Sequence, residues 1–445
     1  MTRSAALAFT LVAGAATLAS PALAAPTLAD PALLAHQSPL VIDTAATAWI
    51  LTSTALVLLM TLPGLALFYG GMVRKKNIIS VVAQSAAAFA IVSVLWFLVG
   101  YSLSFGKGAE AINGFTGGVQ AAFLNGVTAR TAHSLLPGLP ELLFVAFQMT
   151  FAIITPALIA GAFAERMKFS ASLLFFALWH LIVYAPICHQ VWGGGWLGGL
   201  GVLDFAGGAV VHVNAGIAGL VCALVLGPRH GFGRDNMAPA NLVYSAIGTG
   251  LLLVGWLGFN AGSMGAADAL AATAAFNTIL AAGSAALGWM TLEWFDRKRP
   301  TLLGLLSGVV GGLVAITPAA GFVDPKGAFF IGLIGGPACY AGAVWLKHAL
   351  KYDDSLDAFG VHGVGGIVGI VGALLTGVFA TTTVNALSDG ATVWKQAVGL
   401  VGVIAWSAAG TFVVLMICKF TTGLRVTKDE EVEGLDYTQH GEAIH

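Results

Sequence analysis

From about residue 46 to residue 418 the chain alternates between long apolar runs and short breaks that hold charges, glycine or proline. Eleven runs have helical length, near 46–70, 78–103, 142–163, 169–187, 203–227, 240–263, 270–292, 302–320, 328–347, 359–380 and 394–418. About 20 apolar residues, each rising 1.5 Å, cross a hydrocarbon layer of about 30 Å, so every run predicts a transmembrane helix. Stretches such as Thr155-Pro156 are expected to kink a helix without ending it. The expected fold class is an all-α integral membrane protein of eleven transmembrane helices.

Composition supports the same class. Hydrophobic residues make up 58% of the 445 and charged residues only 9%, against roughly a quarter charged in soluble domains. Glycine, at 58 residues, fits helices that pack closely through small side chains in lipid. A net charge of −1 argues against a nucleic-acid partner. Cys188, Cys222, Cys339 and Cys418 stand singly in or beside apolar runs, which suits small core residues better than disulfides or metal ligands.

Loop charges orient the bundle. Arg3, a short apolar run over 5–18 and Ser20-Pro-Ala22-Leu-Ala24 read as a signal peptide over 1–24, cleaved after Ala24. Residues 25–45 then form a periplasmic segment, 46–418 the membrane domain and 419–445 a cytoplasmic tail. With the N-terminus outside, the inner loops and tail carry fifteen Lys and Arg, among them Arg74, Arg166, Arg229, Lys347 and Arg425; the outer loops carry four, Lys107, Arg130, Lys326 and Lys395. That is the positive-inside bias expected of an N-out, C-in protein.

Two histidines are out of place in this pattern. His212 lies in Phe205-Ala-Gly-Gly-Ala-Val-Val-His212-Val-Asn214 and His362 in Phe359-Gly-Val-His362-Gly363, and an ionisable group inside an apolar span is a functional candidate. Both runs open with Asp then Phe, Asp204-Phe205 and Asp357-Ala-Phe359, and Leu67-Phe68-Tyr-Gly-Gly-Met72 has an echo in Gly258-Phe259-Asn-Ala-Gly-Ser263. If spans one to five match six to ten, the odd number inverts one half against the other. The result is a pseudo-twofold five-plus-five repeat whose pathway lies between the halves, where two histidines can meet. A lone buried histidine is ordinarily a hydrogen-bonded structural group, the reading kept for His180 and His189. Neither histidine helix has a further ligand at helical spacing, so no metal is expected.

Asp204 and Asp357 stand where a carboxylate can cap a helix N-terminus. Phe147 and Phe151 share a helix face, and Trp192 lies in the loop ahead of Asp204. Such rings attract a small cation for about 1–2 kcal/mol when partly desolvated, although phenylalanines at this spacing also pack ordinarily. The Ser263 hydroxyl could accept a hydrogen bond from that cation.

Phe147-Gln-Met-Thr-Phe151, Gly161-Ala-Phe-Ala-Glu-Arg166, Trp192-Gly-Gly-Gly195, Asp204 to Ala215, Gly255-Trp-Leu-Gly-Phe259-Asn-Ala-Gly-Ser263 and Asp357-Ala-Phe-Gly-Val-His362-Gly363 together resemble the ammonium transporter (Amt/Mep/Rh) family, in order from about residue 46 to the C-terminus. Trp192, Ser263 and the tail resemble the Amt branch. The resemblance implies a homotrimer in a bacterial inner (plasma) membrane, with a pore through each subunit, no cofactor and no enzymatic activity. It assigns an ammonium (or methylammonium) site to Phe147, Phe151, Trp192 and Ser263 with Asp204 behind it, a phenyl gate to Phe151 and Phe259, a pore-wall ring to Trp256 and twin pore histidines to His212 and His362. The tail, with Gly423-Leu-Arg-Val426, the acidic run 429–433, Gly434-Leu-Asp436 and His440-Gly-Glu442, is similar to the segment through which bacterial members respond to PII signal proteins. An Rh-type ammonia or carbon dioxide channel and an ammonium sensor are the alternatives. The outer loop over about 105–140 has no counterpart in the resemblance.

Overall fold

The computed structural model describes residues 41–128 and 130–444 and, for residues 365–372, the backbone alone. The expected signal peptide over 1–24, and residues 25–40 of the segment after it, lie outside the described residues. The fold is all-helical, with no sheet among the described residues. Nine described helices are long and apolar enough to cross a membrane: α1 (Thr44–Met72), α2 (Lys75–Phe105), α3 (Glu141–Phe163), α4 (Phe169–Leu200), α5 (Gly208–Leu226), α6 (Leu242–Gly262), α7 (Ala269–Arg297), α9 (Pro325–Leu350) and α11 (Val393–Thr421). Packed among them are α8 (Leu302–Ile316) and α10 (359–379). This is a multi-pass membrane protein. Helix α4 runs past residue 187 to Val191, turns over 192–195 and resumes over Trp196–Leu200.

Local sequence explains the starts and bends. Asp43, Asn241, Asp268, Thr301, Asp324 and Thr392 each accept a backbone N–H of the turn they open, satisfying donors that have no intrahelical partner. Pro63 lies in a widened π-helical turn of α1 over Met60–Leu65, where its missing N–H is accommodated. Pro156 sits inside α3, which runs on unbroken, as expected.

Matching contacts recur in the two parts of the bundle. Helix α2 packs on α3 and α4, as α7 packs on α8 and α9; α1 lies along α6, and α5 along α10. Glycine brings α5 and α10 together, because a Cβ at Gly216 would overlap the backbone of Gly363. The tail forms α12 (Lys428–Glu433) and α13 (Leu435–His440) and lies on the bundle. Asn77 Oδ1 accepts from Leu435 N at 2.8 Å, Asp436 Oδ1 accepts from Ser80 N at 2.8 Å, and Gln439 Oε1 accepts from Phe169 N at 3.2 Å.

Candidate functional site

The site is built downward from one end of α3. Phe147 and Phe151 are one helical turn apart, with ring centres 5.1 Å apart and edge-on. The Trp192 indole meets Phe151 at 6.0 Å and 88°, and Phe147 lies against Gly262, beside Ser263 at the end of α6. Phe147 is buried, whereas Trp192 and Ser263 are half-buried. Aromatic rings thus cluster at this end of α3, with Ser263 next in the chain to the Gly262 contact, and this region is the candidate vestibule. The Ser263 hydroxyl donates to Phe259 O at 2.8 Å, which leaves its oxygen lone pairs as acceptors.

Asp204 holds the floor of this vestibule. Its Oδ1 accepts from Gly207 and Gly208 N at 2.8 and 2.6 Å, and its Oδ2 from Ala209 and Val210 N at 2.8 and 3.0 Å. One carboxylate therefore satisfies the four orphan donors of α5, while the Asp204 carbonyl accepts from Trp192 Nε1 at 2.9 Å. The expected cap is present, and it ties the indole to the start of the histidine helix.

Below the vestibule the rings close. Phe151 and Phe259 stand 4.3 Å apart at 31°. His212 is 5.8 Å from Phe259 and stacks on Trp256 at 5.2 Å and 16°, and Trp256 is fixed by its Nε1 donating to Thr317 Oγ1 at 2.8 Å. His362 stacks on His212 at 5.4 Å and 16°. Both imidazoles are buried, at 1% and 2% exposure. Neither ring nitrogen of His212 has a hydrogen-bond partner, nor has Nδ1 of His362. Buried polar atoms are normally satisfied, so this cluster presents free donors and acceptors within an otherwise apolar gallery.

The second histidine helix corrects one reading. Asp357 does not cap α10. Its carboxylate pairs with Lys347 at 2.8 Å, and Asp354 is the cap, its Oδ1 accepting from Ala358 N at 3.0 Å and its Oδ2 from Phe359 N at 2.6 Å. Asp204 and Asp354 each lie eight residues before their histidine, and both histidines sit in π-helical turns, Gly208–Val213 and Phe359–Gly363. Asp357 matches Gly207: both lie three residues after the cap with positive φ, +57° and +105°, a conformation glycine favours and aspartate tolerates. The equal spacing was visible in the sequence, but the Asp-Phe pairing drew attention to the wrong aspartate.

A charged clasp closes the far end, where the sequence reading had seen only loop cations. Buried Glu165 pairs with Arg74 at 2.9 Å and Arg229 at 3.0 Å, and Arg229 pairs with Asp353 at 2.8 Å. Burial opposes ionisation of Glu165, yet Arg229 and Arg74 hold it below its ordinary range. Asp353, likewise buried, is held down chiefly by Arg229. Burial and the neighbouring Asp357 instead push Asp354 up to about 6. Glu431 of the tail joins in, pairing with Arg425 at 2.7 Å and accepting from His230 N at 2.6 Å.

The other expected polar groups lie off this line. His180 is buried and stacks on Tyr184 at 5.6 Å, but neither of its ring nitrogens has a hydrogen-bond partner, so the hydrogen-bonded structural role expected of it is not seen. The His189 ring nitrogens meet the carbonyls of Ser104 and Asn113 at 3.0 and 2.7 Å, as a structural role requires. All four cysteines are buried and unbridged.

Comparison with known proteins agrees with this layout. A family model described as Ammonium Transporter Family matches residues 48–444. The ammonium transporter of Bacillus subtilis (strain 168) is 48% identical over 413 residues, covering 90% of this chain and 98% of that protein. The ammonium transporter of Aquifex aeolicus (strain VF5) is 48% identical over 420 residues, covering 92% and 96%. Among solved structures, Saccharomyces cerevisiae Mep2 superposes with a TM-score of 0.80 at 38% identity, covering 88% and 89% of the two chains. A protein described as a sensor Amt protein superposes at 0.81 with 30% identity, covering 89% and 98%.

Proposed function

The chain belongs to the ammonium transporter family, and from that premise we propose that it recruits ammonium at the vestibule, deprotonates it and conducts ammonia past His212 and His362, with or without the proton. The observation that carries this reading is the pair of stacked imidazoles beneath the Phe151–Phe259 closure, with both ring nitrogens of His212 and Nδ1 of His362 unpartnered. A bare cation cannot enter such a gallery, because burying an unpaired charge in an apolar medium is prohibitive. Potassium meets the same barrier and has no proton to lose.

At the vestibule, Trp192, Phe147 and Phe151 offer their ring faces to the cation and Ser263 Oγ accepts a hydrogen bond from it. Asp204 acts through position: its four amide bonds hold the start of α5, and its carbonyl holds the Trp192 ring. Ammonium gives its proton to vestibule water, or, where the proton crosses too, to a free imidazole nitrogen of the His212–His362 pair, and neutral ammonia passes Phe151 and Phe259. His212 and His362 then offer it both a donor and an acceptor nitrogen.

The inverted five-plus-five arrangement of eleven spans, N-out and C-in, is part of the proposal. It is supported by the fifteen-to-four loop charges, the matched helix contacts and the equal Asp-to-His spacing. A homotrimer in a bacterial inner membrane is carried over from the family alone; exposed apolar side chains such as Val243 and Ile247 on α6 and Phe276 and Ile279 on α7 suit lipid as well as a neighbouring subunit. Docking of a PII signal protein on the tail side is supported by the helices α12 and α13 being held to the bundle rather than free.

The test is uptake of labelled methylammonium by cells that lack their own ammonium uptake, with the intact protein, Trp192→Leu and His212→Asp. Uptake by the intact protein, its loss in His212→Asp and its fall by roughly 5- to 30-fold at low substrate in Trp192→Leu are expected. No uptake by the intact protein would overturn the transport reading and leave a sensor.

A further inference from the structure

The loop between α2 and α3 folds a tight turn over the vestibule. Leu136 N donates to His133 O at 2.9 Å, Leu139 N to Leu136 O at 3.0 Å, and Glu141 N to Thr131 O at 2.9 Å, closing the turn on the start of α3. Gly138 O accepts from Asp43 N at 3.0 Å, which ties the turn to α1. Two side chains then pack it against the start of α3 and the segment after α6. His133 lies flat on Phe144, with ring centres 4.6 Å apart at 9°, and Phe144 is one helical turn before Phe147. Leu136 lies over Gly265, occupying the space into which any side chain there would project, and Gly265 is two residues beyond Ser263.

We propose that the His133–Leu136 turn is a specificity determinant, fixing the gap between Phe147 and Ser263 and hence the size of ammonium-type cation that the vestibule admits. The proposal rests on the ammonium reading of the vestibule. Neither residue touches the gallery; both act by positioning its mouth. A site that must separate ammonium from a methylated ammonium has only one methyl group to act on, worth about 10- to 200-fold at best, so a small widening is enough to erode it.

His133 also makes the turn sensitive to acid. Its Nδ1 accepts from Leu135 N at 3.3 Å, which requires the unprotonated nitrogen. The ring packs between Phe105 of α2, at 5.7 Å and 78°, and Phe144 of α3. The titratable groups facing it are Glu141 of α3 and Tyr101 of α2, whose hydroxyl donates to Glu141 Oε1 at 2.8 Å. Burial holds His133 below its ordinary value, against the pull of Glu141 and of the Phe105 carbonyl. Protonation takes the lone pair that holds Leu135 N–H, so acid on the vestibule side loosens the turn.

The experiment compares transport of ammonium and methylammonium by the full-length protein in proteoliposomes, for the intact chain, His133→Ala, Leu136→Ala and His133→Asn. In both alanine variants the KM preference for ammonium should fall by roughly threefold or more, with maximal rate unchanged. His133→Asn keeps an acceptor for Leu135 N–H and should retain the preference, yet lose the decline that the intact protein shows as outside pH drops below the ordinary imidazole value of about 6.5. Leu136→Ala leaves the His133 stack in place, so misfolding of His133→Ala does not remove the test. An unchanged KM ratio in Leu136→Ala, or an acid response that persists in His133→Asn, overturns the proposal. Absence of transport by the intact protein would instead overturn the vestibule reading itself.

Discussion

The ring gallery and the charged clasp are held together by opposite means. At the gallery, Phe151, Phe259, Trp256 and the two histidines pack ring on ring, and both ring nitrogens of His212 and Nδ1 of His362 are unpartnered. At the clasp, Glu165, Arg229 and Asp353 spend nearly every polar atom on one another. A buried polar atom without a partner costs free energy, whereas a closed network of ion pairs makes each member hard to remove. The contrast separates a region whose polar atoms are kept free for a passing molecule from one whose polar atoms fix the frame.

Mutation should expose that difference first at the clasp. Glu165→Ala strands Arg74 and leaves Arg229 with Asp353 alone, and removing one partner of a buried ion pair costs about 3–5 kcal/mol. The expected outcome is loss of most folded protein, checked by size-exclusion chromatography and thermal unfolding in detergent. His212→Leu should behave in the opposite way, keeping unfolding stability within about 1 kcal/mol, since no partner is stranded, while transport is lost. Comparable destabilisation by both substitutions would erase the distinction.

Trp192→Leu tests the vestibule at a smaller scale. Loss of about 1–2 kcal/mol of cation–π attraction predicts a KM for ammonium raised roughly 5- to 30-fold with the fold intact. Smaller still is the effect of pH on the clasp. Glu165 and Asp353 have depressed values, so their stabilisation is complete above the ordinary carboxylate range and is lost as pH falls through their lower folded values. Asp354 has the opposite sign: pushed up to about 6, it takes up a proton in the folded state first, so acidification toward pH 5 favours the fold slightly. Unfolding temperature should therefore rise or hold between pH 7 and about 5 and then fall below about 4, and Asp354→Asn should abolish the first phase alone.

Much of this was legible in the residues. The apolar runs located the helices because hydropathy over about 20 residues is a physical requirement of the bilayer, and His212, His362 and the aromatic set stood out by residue type. Asp354 did not, because a cap is recognised by which backbone N–H groups it faces. That geometry depends on where the helix starts, which is visible only once Gly207 and Asp357 are seen to share a positive φ. The clasp was hidden for a different reason. Glu165, Arg229 and Asp353 come from three separate loops, and nothing in the sequence tells a loop cation that faces water from one that meets a buried carboxylate. The tail's resemblance pointed to PII signal proteins, and not to the contacts of Asn77, Ser80 and Phe169 that hold it to the bundle.

The central claim is that the His212–His362 gallery is the path of the transported molecule. It is tested most directly by ammonium-driven flux into proteoliposomes, read as charge displacement and internal pH together, for the intact protein beside His212→Leu of equal unfolding stability. The account predicts flux through the intact protein and none through the variant, with the charge record showing whether the proton crosses too. Equal flux through both would contradict it.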